Sequence, residues 1–457
     1  MVMIKKILIA NRGEIVSRIM KTCKKMGIAT VVVYSDADKD ASYVKQATES
    51  YSIGSSNPIK SYLNIGVIID VLKKSGADAV HPGYGFLSEK VDFAKGVSVA
   101  GAKWIGPAPS VLERIESKCY CRQLASTLDL PVTPGTVNPI QSVDEIYDIA
   151  HKVGIPLMLK LDKGGGGKGI QRIDEIYEMK KMKSMLESLQ SVGAMAFASS
   201  DVYVEKVIEK SRHIEVQFLA DDDSNVVCLG ERECSIQRRY QKIIEESPSA
   251  VVSEHERQTL FGYTRKLIQK MKYTGAGTIE YLRDIDGKYY FMEINARLQV
   301  EHPVTECITG IDIVEQQIRI AAGEKLDMGQ KDIVFKGHAI ECRIYAEDSD
   351  TFMPSPGIIR KLYLPDTTSN SMIRIDSAAE EGGSIPPYYD PLFAKVISWG
   401  SDRRAAIENL KNALKSFVVE GIKTTIRADL EILNNPRFVT GDINTTFLCE
   451  ERRVKTS

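Results

Sequence analysis

Alternating strands and helices in about the first hundred residues are the feature that most limits the folds open to this chain. Residues 7–10 form a short apolar run typical of a buried strand, residues 14–25 have the periodicity of a helix, and residues 30–34 predict a second strand. A helix over 67–74 and a strand over 77–81 repeat the order. Strands joined through helices pair in parallel, so the sequence predicts a parallel sheet covered by helices.

The length and composition indicate a globular protein of several domains. A chain of 457 residues exceeds one ordinary hydrophobic core, so we expect two or three domains of mixed α/β and α+β character. Hydrophobic residues make up 43% and charged residues 26%, as in globular proteins generally. The net charge of −1 argues against a nucleic acid or an anionic membrane as a partner recognised through bulk charge.

Neither membrane insertion nor secretion is predicted. No apolar run reaches about 18 residues, and the apolar start of the chain passes at once into the polar segment 11–14. The eight cysteines are scattered and have no metal-site spacing. We therefore expect reduced thiols and a cytoplasmic location.

A hinge followed by a small mobile unit is predicted in the middle of the chain. Residues 130–135 are rich in Pro, Gly and Thr, as at a boundary. Ser142 and Glu145 match a capping box before a helix, and residues 155–160 predict a strand. Residues 174–196 predict a surface helix of a lid.

Strands dominate the prediction from residue 202 to about residue 300. A helix is expected over 312–322, and the section from about residue 338 mixes short strands with one clear helix. The apolar positions of that last helix are Ile407, Leu410, Leu414 and Phe417.

An Asp-Gly pair at 286–287 predicts a two-residue hairpin turn. Counting back along both strands from Ile285 and Lys288 places Glu280 opposite Glu293. Directly opposed side chains lie about 5 Å apart, where like charges are destabilising. The two carboxylates therefore need a cation between them, or a raised pKa on one of them.

The second strand of this hairpin continues with a strict alternation of polar and apolar residues. A period of two places the polar side chains on one face, about 6.6 Å apart. They are Glu293, Asn295, Arg297, Gln299 and Glu301. Glu293 and Asn295, with Glu280 opposite, offer oxygens suited to Mg²⁺, Arg297 suits an oxyanion, and Glu301 suits a base. The alternative is a solvated polar face, which the opposed glutamates disfavour.

Two further segments carry features that suit phosphate. A glycine run at 164–167 follows the strand ending at Lys160, and successive glycines let backbone N–H groups surround a phosphate beside Lys168. The Gly-Lys-Ser/Thr ending of a P-loop is missing, and a flexible linker is the alternative. The stretch 237–242 is densely basic, and a solvated surface run is its alternative.

Several long motifs resemble the biotin carboxylases, the ATP-grasp components of acetyl-CoA, propionyl-CoA and pyruvate carboxylases. The matching segments are 10–15, 81–89, the glycine run, 232–239, 293–305, 352–357 and 386–390. The resemblance implies an N-terminal parallel-sheet (pre-ATP-grasp) domain over 1–118, an ATP-grasp body over 119–335 and a C-terminal biotin carboxylase domain over 336–457. A mobile lid is implied at about 134–204.

The resemblance also implies an MgATP site between the lid and the body. The matching positions are Lys118, Lys160, Gly166, Gly167, Glu205, Lys206, Ile208, His213, Gln237, Tyr240, Glu280 and Glu293. In the family pattern the two lysines bind phosphate, the two last glutamates bind Mg²⁺ (or Mn²⁺), and Asn295 matches the ligand of a second metal ion.

For the chemistry, the resemblance implies carboxylation of biotin. Glu301 matches the base that deprotonates bicarbonate, and Arg297, Val300 and Lys242 match the groups that hold this anion. Bicarbonate would attack the γ-phosphate of ATP to form carboxyphosphate, the source of CO₂. Arg343 matches the residue that stabilises the biotin enolate.

Partners are expected because the chain lacks the Ala/Val-Met-Lys-Met biotinylation sequence. We expect a separate biotin carboxyl carrier protein and a separate carboxyltransferase subunit, and the family typically forms homodimers. Two alternatives are a catalytically weakened paralogue that serves assembly or regulation, and another ATP-grasp ligase.

The chain departs from the family pattern at a few positions. They are Lys90, Glu116, Ser117, Asp162, Lys163 and Tyr240, the last of which is usually a histidine. None of them removes a predicted metal ligand, the base or either arginine, so an active enzyme is expected.

Overall fold

The computed structural model describes residues 3–164, 169–197, 199–367 and 372–453, and its strands and helices are numbered in chain order. Within the described residues, no helix combines the length and the apolar character that crossing a bilayer requires.

The N-terminal part is a five-stranded parallel sheet, as predicted. Its order is β3-β2-β1-β4-β5. Its strands are β1 (Lys6–Ile9), β2 (Ala29–Tyr34), β3 (Glu49–Ser52), β4 (Ala79–His81) and β5 (Lys103–Trp104). Its helices are α1 (Glu14–Lys25), α2 (Ser42–Gln46), α3 (Ile65–Ser75), α4 (Val91–Val99) and α5 (Pro109–Ile115). Leu8 packs into one core while Ile7 and Ile9 pack into another, so both faces of the sheet are covered.

A smaller unit follows helix α6 (Lys118–Thr127). It consists of α7 (Asp144–Val153), β6 (Leu157–Leu161), β7 (Ile170–Ile173), α8 (Met179–Phe197) and β8 (Val202–Lys206). The three strands pair antiparallel in the order β7-β6-β8. Residues such as Leu159, Leu186 and Val204 form a core separate from those of the other parts. A core of its own is what a hinged lid requires.

An eight-stranded sheet, β13-β12-β9-β10-β11-β14-β19-β17, forms the centre of the molecule. Its first part contains β9 (Arg212–Ala220), β10 (Val226–Arg238), β11 (Gln241–Ser247), α9 (Glu254–Met271), β12 (Gly275–Arg283), β13 (Tyr289–Asn295), α10 (His302–Thr309) and α11 (Ile313–Ala321). Strands β11 and β14 pair directly, so one sheet runs across the boundary predicted at 335–336.

The C-terminal part completes this sheet and packs helices against it. Its strands are β14 (His338–Tyr345), β15 (Gly357–Ile358), β16 (Lys361–Tyr363), β17 (Ile373–Ser377), β18 (Ser384–Ile385), β19 (Leu392–Gly400) and β20 (Val418–Glu420). Its helices are α12 (Arg403–Ser416), α13 (Ile426–Leu433), α14 (Pro436–Thr440) and α15 (Phe447–Arg453). Ile407, Leu410 and Leu414 of α12 are buried, as their spacing predicts.

Two helix predictions need correction. The segment predicted to be dominated by strands contains α9, whose start is a capping box: Ser253 Oγ accepts from Glu256 N, and Glu256 Oε2 accepts from Ser253 N at 2.8 Å. The capping box predicted at Ser142 does not form, because α7 has Val143 at its N-cap without a side-chain cap. The lid helix α8 begins at Met179, later than the predicted residue 174.

Glu246 of β11 ties the central sheet to the C-terminal helices. This buried carboxylate accepts from His338 Nε2 and from Arg403 Nε, both at 2.6 Å. Burial by itself raises the pKa of Glu246, but His338 and Arg403 outweigh it and lower the pKa to about 2. The stabilisation is therefore complete above the unfolded-state pKa of about 4.3 and is lost as the pH falls towards 2.

We expect Glu246→Gln to lower the free energy of unfolding by on the order of 3 kcal/mol at neutral pH, and by progressively less below about pH 4. Denaturant unfolding of both chains at several pH values measures this difference. Glu408→Gln, an exposed carboxylate on α12, is the matched control and should change little at any pH. A difference between the Glu246 variant and the unsubstituted chain that did not change with pH would contradict the account.

Candidate functional site

Glu280 and Glu293 are directly opposite each other, as predicted, although the path between them differs. The strands end at Arg283 and Tyr289, which pair with each other, so the loop is longer than the predicted two-residue turn. Asp284 Oδ1 closes this loop by accepting from Lys288 N at 2.8 Å. A bulge before Glu293 then shifts the register by one residue and restores the predicted pair.

The predicted strand face from Glu293 to Glu301 is wrong in its second half. Strand β13 ends at Asn295, and Glu301 is the N-cap residue of α10. Glu89 ends the strand, because its carboxylate accepts from Ala296 N at 3.1 Å and from Arg297 Nε at 3.0 Å. The chain therefore turns, yet the polar side chains still meet around one centre.

Lys242 of β11 lies at that centre. Its Nζ donates to Glu215 Oε2 at 2.6 Å, to Glu280 Oε1 at 2.7 Å and to Glu301 Oε1 at 2.6 Å. An ammonium group has three donors, so these carboxylates use all of them. Lys242 thus supplies a positive charge beside Glu280.

Burial and ion pairing act against each other in this cluster. Burial disfavours the ammonium of Lys242, but the three glutamates outweigh it and raise the lysine pKa well above its usual range. Burial likewise disfavours the carboxylate of Glu301, yet Lys242 and Arg343 hold the pKa of Glu301 well below its usual range. Glu301 is therefore ionised at neutral pH and can accept a proton.

His213 and Gln237 lie on the other side of Glu280. His213 Nε2 is 2.9 Å from Glu280 Oε2, and Gln237 Nε2 lies 2.7 Å from His213 Nδ1. Burial raises the pKa of Glu280, but Lys242 and His213 lower it well below its usual range. Gln299 Nε2 also donates to Glu280 Oε1 at 2.9 Å, which fixes the carboxylate from a third direction.

Arg343 of β14 approaches Glu301 from the C-terminal part. Its Nη2 donates to Glu301 Oε2 at 3.0 Å and lies 2.6 Å from Glu245 Oε1. Glu341 lies opposite Glu245 in the sheet, and both are fully buried. Burial raises the pKa of Glu341 well above its usual range, and the pKa of Glu245 shifts the same way.

Lys118 and Glu293 form a second charged pair. Lys118 Nζ lies 3.3 Å from Glu293 Oε2 and donates to the Gly164 carbonyl. The Glu293 side chain is 27% exposed, so its carboxylate is more open than that of Glu280. Burial lowers the pKa of Lys118, but Glu293 raises it above its usual value.

The oxygens of Glu280, Glu293 and Asn295 fit a hard divalent cation by their chemistry. Asn295 is buried beside Glu293 on β13, its Oδ1 accepts from Arg297 Nη2 at 3.0 Å, and its Nδ2 has no partner within the described residues. The side chains of Glu280 and Glu293 point to different lysines, however. Binding a shared ion therefore requires a change of these contacts.

The remaining predicted nucleotide residues are spread along the lid and its hinge. Lys160 Nζ donates to Glu205 Oε2 at 2.6 Å, and Arg122 donates to the other oxygen of that buried carboxylate. Lys206 ends β8 and Ile208 follows it. Gly166, Gly167 and Lys168 lie outside the described residues.

Two predicted site residues lie apart from the cluster or are already engaged. Tyr240 is 54% exposed and stands, with Arg239, at the turn between β10 and β11, where both have positive φ angles. The carbonyl of Val300 accepts from the fully buried Lys395 Nζ at 2.8 Å.

Arg232 and Glu215 are central residues whose roles the sequence analysis missed. Arg232 is fully buried and uses every donor on neighbouring side chains. Its acceptors are Glu215, Gln217, Thr278, Gln299 and Thr305. The signal was present, since His213, Glu215 and Gln217 alternate with apolar residues along β9 as the polar residues of β13 do.

The sequence matches three family descriptions that together span most of the chain. Residues 3–112 match the biotin carboxylase N-terminal domain, residues 117–329 the carbamoyl-phosphate synthase L chain ATP-binding domain, and residues 341–450 the biotin carboxylase C-terminal domain.

Curated relatives cover the whole length. Biotin carboxylase 1 of Bacillus subtilis is 47% identical over 448 residues, which are 98% of each chain. The biotin carboxylase of Pseudomonas aeruginosa is 42% identical over 447 residues, again 98% of each chain.

Solved structures give the same result. The biotin carboxylase–βγ-ATP complex from Campylobacter jejuni has a TM-score of 0.94 and 41% identity, covering 98% of this chain and 99% of that one. The biotin carboxylase domain dimer of Hydrogenobacter thermophilus 2-oxoglutarate carboxylase, in complex with MgADP, ADP and bicarbonate, has a TM-score of 0.94 and 41% identity. It covers 99% of this chain and 98% of that one.

Proposed function

The chain belongs to the biotin carboxylase family, and from this premise we propose that it uses MgATP and bicarbonate to carboxylate biotin on a carrier protein. One observation supports this proposal most directly. The ionised Glu301 lies between Lys242 and Arg343, so a base and two anion-binding cations meet at one point. A bicarbonate ion needs both kinds of group.

In the proposed reaction Glu301 takes the proton of bicarbonate while Arg297 and Lys242 hold the anion. An oxygen of the anion attacks the γ-phosphorus of ATP, and the bond to the ADP oxygen breaks, which gives carboxyphosphate and ADP. Carboxyphosphate then separates into CO₂ and phosphate. The phosphate removes the proton from N1 of biotin, and Arg343 stabilises the enolate before N1 attacks CO₂.

Lys242 must change its contacts before it can bind an anion. Its three donors are occupied by Glu215, Glu280 and Glu301, so at least one carboxylate has to be released. Glu215 stays paired in any case, because Arg232 also donates to it. The donor that Lys242 turns towards bicarbonate therefore comes from Glu280 or Glu301.

On the nucleotide side, we propose that Lys118 and Lys160 bind the phosphates, with Gly166 and Gly167 above them. Glu205, Lys206 and Ile208 would hold adenine, and His213 and Gln237 the ribose, with Tyr240 near the nucleotide. Glu280, Glu293 and Asn295 would hold Mg²⁺ or Mn²⁺, which neutralises the transferring phosphoryl group when bound.

Partners follow from the same proposal. We propose a separate biotin carboxyl carrier protein and a separate carboxyltransferase, with a homodimer as the assembled form. The domain limits 1–118, 119–335 and 336–457 and the lid at 134–204 belong to this proposal, as does a cytoplasmic location. Relatives support it as named subunits or domains of larger carboxylases.

Release of ADP with bicarbonate, with and without free biotin, tests the function. We expect release to depend on bicarbonate and to increase when biotin is added. ADP release that biotin leaves unchanged would support another ATP-grasp ligase. Tight MgADP binding with no bicarbonate-dependent release would support a weakened paralogue.

A further inference from the structure

Four positions that depart from the family pattern contact one another where β6 ends beside the start of α6. Asp162 is buried, and its Oδ1 accepts from Ser117 Oγ at 3.1 Å. Lys163 Nζ lies 3.2 Å from Glu116 Oε2. Each departure in one segment therefore has its partner in the other.

Asp162 holds the backbone on both sides of Lys118. Its Oδ1 also accepts from Cys119 N at 2.7 Å, and its carbonyl accepts from Lys118 N at 3.4 Å. Ser117 Oγ accepts in turn from Tyr120 N at 3.1 Å and thereby caps α6. A carboxylate and a hydroxyl thus satisfy the first N–H groups of the helix.

Lys118 is the first residue of α6, and its ammonium extends from this fixed backbone towards Glu293, 3.3 Å away. A cap that shifts by about an ångström would displace the ammonium from the phosphates, and misplacement of that size strongly lowers the activity of an enzyme. The Lys163–Glu116 pair contributes less, because both side chains are more than a third exposed or nearly so, at 39% and 34%.

We propose that Asp162 is a positioning residue for nucleotide binding, which acts through Ser117 and Cys119 to hold Lys118 at the phosphates. The inference rests on the proposed function, since it requires Lys118 to bind a nucleotide. It also explains why Asp162 and Ser117 occur together in this chain, because each satisfies the other.

The test compares Asp162→Ala with Asp162→Asn. Alanine leaves the buried N–H of Cys119 without its acceptor, and we expect the Kd for MgADP and the KM for MgATP to rise about tenfold, while kcat at saturating MgATP changes by less than about threefold. Asparagine retains an acceptor oxygen and should bind MgADP as the unsubstituted chain does. Equal weakening by both variants would overturn the proposal.

A double-mutant cycle with Lys118→Met separates positioning from general destabilisation. If Asp162 acts through Lys118, Asp162→Ala should have almost no further effect on the Kd for MgADP once Lys118 is replaced. A tenfold effect in both backgrounds would overturn the positioning role. Bicarbonate-dependent ADP release by the unsubstituted chain reports on the proposed function separately, so either idea can fail alone.

Discussion

Replacing Glu301 by glutamine should lower the kcat of bicarbonate-dependent ADP release by about 10²- to 10⁴-fold, the usual contribution of a general base. The amide has nearly the same shape but cannot accept the proton. Glu301 does not contact the lysines assigned to the phosphates, since its partners are Lys242 and Arg343. The Kd for MgADP should therefore change by less than about threefold.

Glu245→Gln is the matched control for this result. It also removes a buried carboxylate beside Arg343, 2.6 Å from Nη2, but leaves all three contacts of Lys242 intact. We expect this variant to retain bicarbonate-dependent ADP release within about tenfold. If both variants lost turnover equally, the loss would come from the charge of Arg343 and not from a base at Glu301.

The N-terminal sheet could be predicted from sequence because its signals are local. The apolar runs at 7–10 and 30–34 are strands over Lys6–Ile9 and Ala29–Tyr34, and the helix over 14–25 has the predicted bounds. Each of these elements follows from its own periodicity. The pairing of β11 with β14 could not be predicted in this way, because no local pattern indicates which distant strand lies next.

The Glu280–Glu293 pair was predicted correctly for a reason that was incomplete. The turn at 286–287 was too short by one residue in the register, and a bulge near Met292 shifts the register back. A bulge has no reliable sequence signal, so the two errors cancelled. The end of β13 at Asn295 was missed for a similar reason, since Glu89 reaches it from more than 200 residues away.

Lys242 shows what sequence could not provide. Residues 237–242 looked like a charged surface run, and Arg239 and Tyr240 do form its exposed turn. Lys242 itself turns inward because the strand period directs it to the face that carries Glu215 and Glu280. Its carboxylate partners come from β9, β12 and the start of α10, so only the assembled sheet reveals them.

Replacing Glu293 by glutamine should weaken MgADP binding at least about tenfold and raise the KM for MgATP by a similar factor, because it removes one anionic oxygen ligand of the metal ion. Glu293 suits this test better than Glu280, whose carboxylate also holds Lys242, Gln299 and His213. Removal of Glu293 leaves those contacts in place and affects only the Lys118 pair.

The dependence on metal is the decisive measurement for Glu293. Affinity for ADP without Mg²⁺ should be unchanged or slightly higher in Glu293→Gln, because the variant removes a negative charge near the phosphates, whereas affinity with Mg²⁺ should fall. Asp286→Asn, an exposed carboxylate in the same hairpin, should alter neither value. If the Glu293 and Glu301 variants lost MgADP affinity equally, the separation of metal binding at Glu293 from proton transfer at Glu301 would be wrong.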